Sequence, residues 1–304
     1  MASPLKKIAL VGASGNIGQI ILSALLDISE FNVTVVTRAS STVTFPSGAT
    51  VRKSDFSNAD LQAALKGQDA VISAVGATGF GEQKNLIDAA IAAGVSRFIP
   101  SEFSSDALNH VVLTLLPLFS QKREVIEYLR SKESDSFTWT GIATSGLFDW
   151  GLANGFLGYD IASQTATIWD AGESKFTMTN QKQLGDSVIS VLKCPHATAN
   201  QYLYVSSVET SQREVLAAFE RATTSSWTVV STTTEAEVDE ATKKLGQGDF
   251  SGALTLVRAT AFSNLPALGA NYAKDRKLAN DLLGLKGESV QETIDRVVKA
   301  ALSA

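Results

Sequence analysis

The sequence has one cysteine, no basic run and no long apolar segment, and each absence excludes a class of protein. A single thiol, Cys194, cannot form an internal disulfide, which is typical of chains that fold in a reducing compartment. Acidic residues outnumber basic ones by 31 to 26, for a net charge of −5, so nucleic acid and anionic membrane are excluded as general partners. The most apolar stretch, residues 111–119, is interrupted by Pro117 and is too short to span a bilayer.

Three further signals are missing. No Gly-x-Ser-x-Gly elbow is present, which argues against a serine hydrolase. Cys194 and His196 have no other candidate ligands clustered near them in the sequence, so we expect no metal site. Residues 1–7 lack the apolar core of a secretory signal peptide, and we therefore expect a cytoplasmic protein. The 304 residues, 44% of them hydrophobic, suffice for one large core or for a core with a smaller lobe.

A glycine-rich turn joins the first predicted strand, residues 6–11, to a helix predicted over residues 19–29. In this context Gly12 lets the chain turn, Gly15 lets backbone approach a pyrophosphate, and Gly18 lets the helix pack on the sheet. The helix N-terminus offers free N–H groups to phosphates. The spacing is one residue longer than the commonest dinucleotide fingerprint, and a purely structural turn is the alternative. The predicted cofactor-binding residues of this turn are Gly12, Ser14, Gly15, Asn16, Ile17 and Gly18.

Arg38 indicates which dinucleotide is bound. It follows the second predicted strand, residues 32–37, where an NAD-preferring site usually carries an acid that holds the ribose 2′-hydroxyl. A guanidinium attracts a 2′-phosphate instead, and the hydroxyls of Ser40 and Ser41 can add donors. The sequence therefore predicts NADP(H) as the cofactor, with a solvated surface arginine as the alternative.

Predicted strands and helices alternate up to residue 150. The apolar run 69–75 is typical of a central parallel strand, and Gly94 closes the helix before the strand 97–99. This alternation predicts an α/β protein with a Rossmann-type, doubly wound parallel sheet. We expect residues 1–150 to form the NAD(P)-binding domain and residues 151–304 a smaller α/β substrate-binding lobe. The boundary is soft, because elements of the two halves can interleave.

The carboxyl ends of the predicted strands supply further site residues, since ligands bind at that edge of a doubly wound sheet. Asp55 or Phe56 is expected near the adenine, and Gly76 and Ala77 are expected beside the ribose and nicotinamide. Ordinary loop packing is the alternative for each. The predicted crevice residues from these strand ends are Asp55, Phe56, Val75, Gly76, Ala77, Ser101 and Phe103.

Five segments together resemble the NmrA-like and isoflavone reductase-like branch of the atypical short-chain dehydrogenases. They are residues 11–18, 37–38, 92–103, 146–152 and 194–201, of which the last two are similar to the fungal members. The resemblance spans nearly the whole chain, and Arg-Phe-Ile-Pro-Ser-Glu-Phe within the third segment is the most specific part. It implies an NADPH-dependent oxidoreductase that reduces aromatic or natural-product small molecules, or a non-catalytic member that senses NADP.

The reductases of this family carry a lysine on the helix after the Pro-Ser-Glu-Phe strand, and Lys122 stands at the matching position. Periodicity independently places it on an apolar helix face, because Val125 and Leu129 follow three and seven residues later. Near a nicotinamide, an ammonium can stabilise developing negative charge or donate a proton. We therefore predict Lys122 as the catalytic residue and as a cofactor contact, with a lysine that only snorkels to solvent as the alternative.

The usual Tyr-x-x-x-Lys pair of short-chain dehydrogenases is absent, because Leu118 stands where the tyrosine would be. Tyr128 is out of phase with Lys122. Aromatic residues after the sixth predicted strand, residues 137–143, are candidates for a substrate wall, with plain core packing as the alternative. The predicted substrate contacts are Phe103, His110, Phe148, Trp150 and Phe156.

Two functions remain open from the sequence. In the first, the protein is a reductase that uses NADPH and Lys122, and its partner is a small-molecule substrate. In the second, it is a regulator of the NmrA type that binds NADP(H) and a protein partner without turnover. Both a monomer and a homodimer are compatible with the sequence.

Overall fold

The computed structural model describes residues 5–303. Residues 1–4, on which the expectation of no signal peptide partly rests, and residue 304 lie outside the described part. The strands are β1 (Lys7–Val11), β2 (Asn32–Arg38), β3 (Ala49–Ser54), β4 (Ala70–Ser73), β5 (Arg97–Ile99), β6 (Thr138–Ala143), β7 (Tyr159–Asp160), β8 (Thr165–Trp169), β9 (Phe176–Met178), β10 (Gln201–Tyr204), β11 (Val208–Thr210) and β12 (Thr228–Thr232).

Helices connect and cover these strands. They are α1 (Asn16–Leu26), α2 (Asn58–Leu65), α3 (Gln83–Ala92), α4 (His110–Leu115), α5 (Ser120–Ser131), α6 (Phe148–Ala153), α7 (Gln181–Lys193), α8 (Gln212–Thr223), α9 (Thr234–Gly246), α10 (Ser251–Phe262), α11 (Tyr272–Asp275), α12 (Asn280–Leu283) and α13 (Val290–Leu302), with 3₁₀ turns at Ala77–Gly79 and Pro117–Phe119. Within residues 5–303, no helix combines the length and the apolar character that crossing a membrane requires.

Seven strands form one parallel sheet in the order β10-β6-β5-β4-β1-β2-β3. One face packs its apolar side chains against α1 and α7, and the other packs against α2, α3 and α5. Burial on both faces explains why β4 reads as an apolar run. The predicted Rossmann-type doubly wound sheet is confirmed, and its connections change direction between β1 and β4, where such sheets form their ligand crevice.

The turn between β1 and α1 depends on two glycines. Gly12 has a φ of 84°, in the left-handed region, and a Cβ there would lie 2.5 Å from the carbonyl oxygen of Ala74. A Cβ at Gly18 would lie 2.1 Å from the carbonyl oxygen of Gly12. The chain's own packing therefore requires both glycines. The helix begins at Asn16 rather than at the predicted residue 19, because extended Gly15 already serves as its N-cap.

Residues beyond 150 take part in the central sheet. β10 pairs in parallel with β6, with Gln201 opposite Thr140. α7 packs closely on α1, since a Cβ at Gly185 would lie 2.6 Å from the Cβ of Ala24. Most of the other elements of this half, together with α4, build a second apolar core beside two small sheets, β12-β8-β7 and β11-β9, while Leu283 of α12 packs in the first core.

Two segments have boundaries that the sequence pattern does not specify. Pro117 opens a 3₁₀ turn, so the regular helix α5, which carries Lys122, starts only at Ser120. The glycine- and aromatic-rich segment after residue 147 forms the short helix α6. Its first turn is held by Asn180, whose Oδ1 accepts the N–H of Asp149 at 3.2 Å, a contact that sequence periodicity does not reveal.

Gly18→Ala should destabilise the protein more than Gly15→Ala. The methyl group at Gly18 meets the Gly12 oxygen at 2.1 Å, so α1 must shift, at a cost of about 1–3 kcal/mol in the free energy of unfolding. At Gly15 the same oxygen is 3.6 Å away, an ordinary contact, and a change below about 0.5 kcal/mol is expected. Urea denaturation of both variants measures the difference, and equal stabilities would contradict the assignment of Gly18 as the packing glycine.

Candidate functional site

A crevice of about 540 Å³ opens at the carboxyl ends of β1, β2 and β4. Its volume is in the range of small-molecule and cofactor sites. The structure brings seven of the predicted cofactor-binding residues together in its lining, with Ser40 and Ser41 beside them. The seven are Gly12, Ser14, Gly15, Arg38, Phe56, Val75 and Gly76.

Gly15 and Gly76 line this crevice without a packing reason of their own. Neither has a positive φ, and a Cβ at Gly76 would have no neighbour within 4 Å. At Gly15 the nearest atom is the Gly12 oxygen at 3.6 Å. The chain's backbone therefore does not need these glycines, and what they leave open is space for a ligand. Among the described residues, no side chain caps the start of α1 and no acid lies in its first turn, so this end of the crevice suits an anion.

Arg38 and Phe56 stand at the other end of the crevice. Arg38 ends β2 with an exposed side chain, close in sequence to Ser40 and Ser41, which line the same wall. Phe56 has a φ of 64°, a left-handed conformation that is costly for a bulky residue. The Oγ of Ser54 accepts the backbone N–H of Phe56 at 3.0 Å and helps to hold it there.

Several predicted cofactor contacts lie outside the crevice lining. Asp55 is exposed, and its Oδ1 accepts the backbone N–H of Ser57 at 2.8 Å; hydrogen bonding from Ser57 holds the pKa of Asp55 below its usual value. Gly18 is buried under the turn, and Ile17 packs partly into the core below it. Ala77 is exposed in the 3₁₀ turn after Gly76. In the described conformation none of these four faces the crevice.

Ser101 and Phe103 have structural contacts instead. The Ser101 hydroxyl donates to the carbonyl of Val75 at 2.8 Å, and its backbone N–H donates to the side chain of Gln83 at 2.8 Å. These two bonds tie the segment after β5 to the loop after β4 and to the start of α3. Phe103 is 6% exposed and packs in the core between the sheet and α1.

The predicted substrate contacts do not converge on one surface. Phe148 is fully buried in the core of the second half, and Phe156 packs partly against that core. His110 is exposed at the first turn of α4. The ring of Trp150 lies 5.6 Å from that of Phe156 at a tilted angle, and Trp150 lines a second cavity, of about 710 Å³, together with Asn16. That cavity runs between α1 and α7, apart from the crevice.

Lys122 lies on the buried face of α5, as its periodicity predicts, and is 3% exposed. Its Nζ donates to the carbonyl of Glu102 at 3.1 Å and to the hydroxyl of Ser104 at 2.8 Å. The same atom lies 4.6 Å from the ring centre of Phe80 and 4.8 Å from that of Phe119. Phe80 directly follows Gly79, which lines the crevice, whereas Lys122 itself is not part of the crevice lining.

Burial dominates the electrostatics around Lys122. It lowers the pKa of Lys122 to about 8, and the attraction of Glu102 opposes this shift. Burial also raises the pKa of Glu102, against the opposing effects of Lys122 and of the Tyr202 hydroxyl, which donates to its Oε2 at 2.8 Å. An ammonium with a pKa near neutrality can release a proton at physiological pH.

Sequence reasoning missed five residues around Lys122, which are Phe80, Glu102, Ser104, Phe119 and Tyr202. Glu102 had a signal, because an acid directly after a buried strand needs a polar partner. Phe80 and Tyr202 had none, since their contacts with Lys122 and Glu102 join residues that are far apart in the sequence.

The sheet order, the glycine turn and the crevice at the carboxyl edge define a Rossmann-type α/β protein. Residues 4–243 match the model of the NmrA-like family, and the chain belongs to this family. This confirms the resemblance noted in the sequence.

Curated relatives and solved structures agree with this assignment. The chain is 38% identical to oxidoreductase aprR of Aspergillus flavus over 296 residues, 96% of this chain and 99% of the relative. It is 35% identical to oxidoreductase poxI of Penicillium oxalicum, over 98% of this chain and 96% of the relative. The NADPH complex of leucoanthocyanidin reductase from Vitis vinifera has the same fold, with a TM-score of 0.79 at 18% identity, covering 96% of this chain and 99% of that one.

The depressed pKa of Lys122 predicts a pH-dependent stability difference between the native protein and Lys122→Met. Between about pH 8 and the ordinary lysine value of 10.5, the unfolded chain holds a proton on Lys122 that the native chain has released. The unfolding free energy of the native protein should therefore rise relative to the variant, by up to about 1.4 kcal/mol per pH unit. Chemical denaturation at several pH values measures this difference. A difference that stays constant or falls with pH would contradict the assigned charge behaviour.

Proposed function

We propose that the protein is an NADP(H)-dependent oxidoreductase that reduces an aromatic or natural-product small molecule. The observation that carries the proposal is the position of Lys122, a buried ammonium against the ring of Phe80, which directly follows the crevice residue Gly79. The relatives named oxidoreductases support the reaction class, and the leucoanthocyanidin reductase that binds NADPH supports the cofactor.

The crevice fits such a cofactor on its own evidence. Gly15 and Gly76 leave open the volume that a Cβ would fill, and the uncapped start of α1 offers N–H donors to a pyrophosphate. Arg38 with the two serines supplies cationic and hydroxyl donors for a 2′-phosphate. When bound, the cofactor supplies a hydride.

Arg38→Ala should weaken NADPH binding about tenfold to a hundredfold and leave NADH binding nearly unchanged. The reason is the loss of one charge-assisted phosphate contact, about 1.5–3 kcal/mol. Isothermal titration calorimetry with both cofactors measures this effect. Arg52→Ala is the matched control, because Arg52 is an exposed arginine on the neighbouring strand β3, outside the crevice lining. Equal affinity of the unaltered protein for NADPH and NADH would refute the cofactor preference.

The role assigned to Lys122 is that of acid or charge stabiliser for the reduced substrate. Reduction leaves negative charge on an oxygen or on a conjugated system of the substrate, and a desolvated ammonium stabilises that charge strongly. The missing tyrosine leaves this task to the lysine, because Leu118 is 41% exposed and Tyr128 donates its hydroxyl to Asp88 at 2.6 Å, away from the site.

Lys122→Ala should lower turnover about 10²- to 10⁴-fold, because that is the usual contribution of a positioned acid to the rate. NADPH affinity should change little. Lys122→Arg should not restore turnover, since a guanidinium does not release its proton near neutral pH. A screen of aromatic and enone substrates by NADPH absorbance supplies the assay, and Lys132→Ala, at a half-buried lysine just after α5 that pairs with Asp88, is the control. Full turnover in Lys122→Ala would remove the residue from the chemistry, and loss of NADPH binding alone would reassign it to the cofactor.

One observation favours the second function, a regulator that senses NADP(H) and binds a protein partner. Phe80 and Phe119, each 7% exposed, cover the Nζ of Lys122 in the described conformation. A reductase must displace at least Phe80 for substrate to reach the ammonium. NADPH binding with no turnover over the whole substrate screen, in the unaltered protein, is the result that would select the regulator.

A further inference from the structure

The carboxyl group of Glu102 has no assigned role in the reaction, although it is completely buried beside the lysine. Its Oε2 accepts the Tyr202 hydroxyl, and its Oε1 has no hydrogen-bond partner among the described residues. Burying a carboxyl oxygen without a hydrogen-bond partner costs free energy of folding. A folded protein keeps such a group buried when another interaction offsets this cost.

That compensating interaction is the charge of Lys122. Within residues 5–303 no carboxylate forms a direct ion pair with Lys122, whose Nζ is held by a carbonyl, a hydroxyl and two aromatic faces. The backbone carbonyl of Glu102 accepts the Lys122 ammonium at 3.1 Å, so the buried carboxyl of the same residue lies near that charge, and its attraction stabilises the charged lysine. Between two buried groups the effective dielectric constant is low and a charge pair interacts strongly.

The other titratable groups around Glu102 come from two further segments. Tyr202 on β10 donates to it, and Asp106 in the loop after β5 repels its negative charge. Asp106 is itself paired with Arg276 at 3.1 Å and accepts the hydroxyl of Tyr204 at 3.1 Å, so its charge is partly neutralised. The pairing leaves Lys122 as the principal positive charge facing Glu102.

We propose that Glu102 is a positioning residue, the through-space counter-ion that keeps Lys122 in its charged form, and that Tyr202 holds its carboxylate in place. The inference rests on the proposed role of Lys122 in reduction. Glu102 is not among the described residues that line the crevice. Its removal changes the fraction of enzyme in which the lysine carries a proton to give.

The test measures the protonation of Lys122 directly. Full-length protein is labelled with ε-¹³C lysine, the Lys122 resonance is assigned by its absence in Lys122→Met, and its titration midpoint is followed by NMR. In the unaltered protein the midpoint is expected near 8. In Glu102→Gln it should fall by about one pH unit or more, because an opposite charge at close range is removed.

Glu124→Gln is the matched control. It removes a carboxylate from α5, the helix that carries Lys122, but Glu124 is exposed and pairs with Lys84 on the outer side. The Lys122 midpoint should stay unchanged there. If Glu102→Gln does not fold, Tyr202→Phe replaces it, since loss of the donated hydrogen bond disfavours the Glu102 carboxylate and should lower the midpoint by a smaller amount.

An unchanged midpoint in folded Glu102→Gln, or in Tyr202→Phe when that variant carries the test, overturns the proposal. This readout needs neither substrate nor cofactor, so its failure leaves the proposed reduction intact. Full turnover in Lys122→Ala, by contrast, would refute the chemical role of the lysine without altering the measured midpoint. With a substrate in hand, the alkaline limb of the turnover profile should move to lower pH in Glu102→Gln, while the low-pH plateau stays within about twofold of the unaltered protein.

Discussion

The close approach of the Gly12 carbonyl to the backbone at Gly18 fixes the geometry on which the site depends. It sets the angle at which α1 leaves the sheet, and therefore the direction in which the first N–H groups of that helix point. Gly15 lies between these two residues and is free of such contacts. One turn thus combines two glycines that the protein needs for packing with one that it leaves open to a ligand.

A group of buried and partly buried polar side chains joins the two halves of the chain. Lys122 and Glu102 come from the first half, and Tyr202 comes from β10 in the second. Each of these side chains is costly to bury alone, and together they satisfy most of their hydrogen-bonding groups. The position of the candidate acid therefore depends on contacts between residues that are distant in the sequence.

The sequence predicts the sheet well because each strand and helix carries a local signal. The strand at residues 97–99 matches β5, and Gly94 has the positive φ expected after α3. Local signals also place Lys122 on the buried face of α5. They do not reveal that the rings of Phe80 and Phe119 cover Lys122, nor that Phe148 is buried in the second core. Those contacts arise only when distant segments pack.

The edge strand β10 has a consequence for the order in which the molecule can be completed. It pairs beside β6, yet an entire set of elements from α6 to α7 lies between the two in the chain. During synthesis on the ribosome, β6 remains an unpaired edge strand of the nascent Rossmann half until residues 201–204 emerge. Such an edge can pair with the wrong strand. Until then Glu102 also lacks the phenol of Tyr202. Any product truncated before β10 would therefore have both an uncovered sheet edge and an unfinished site.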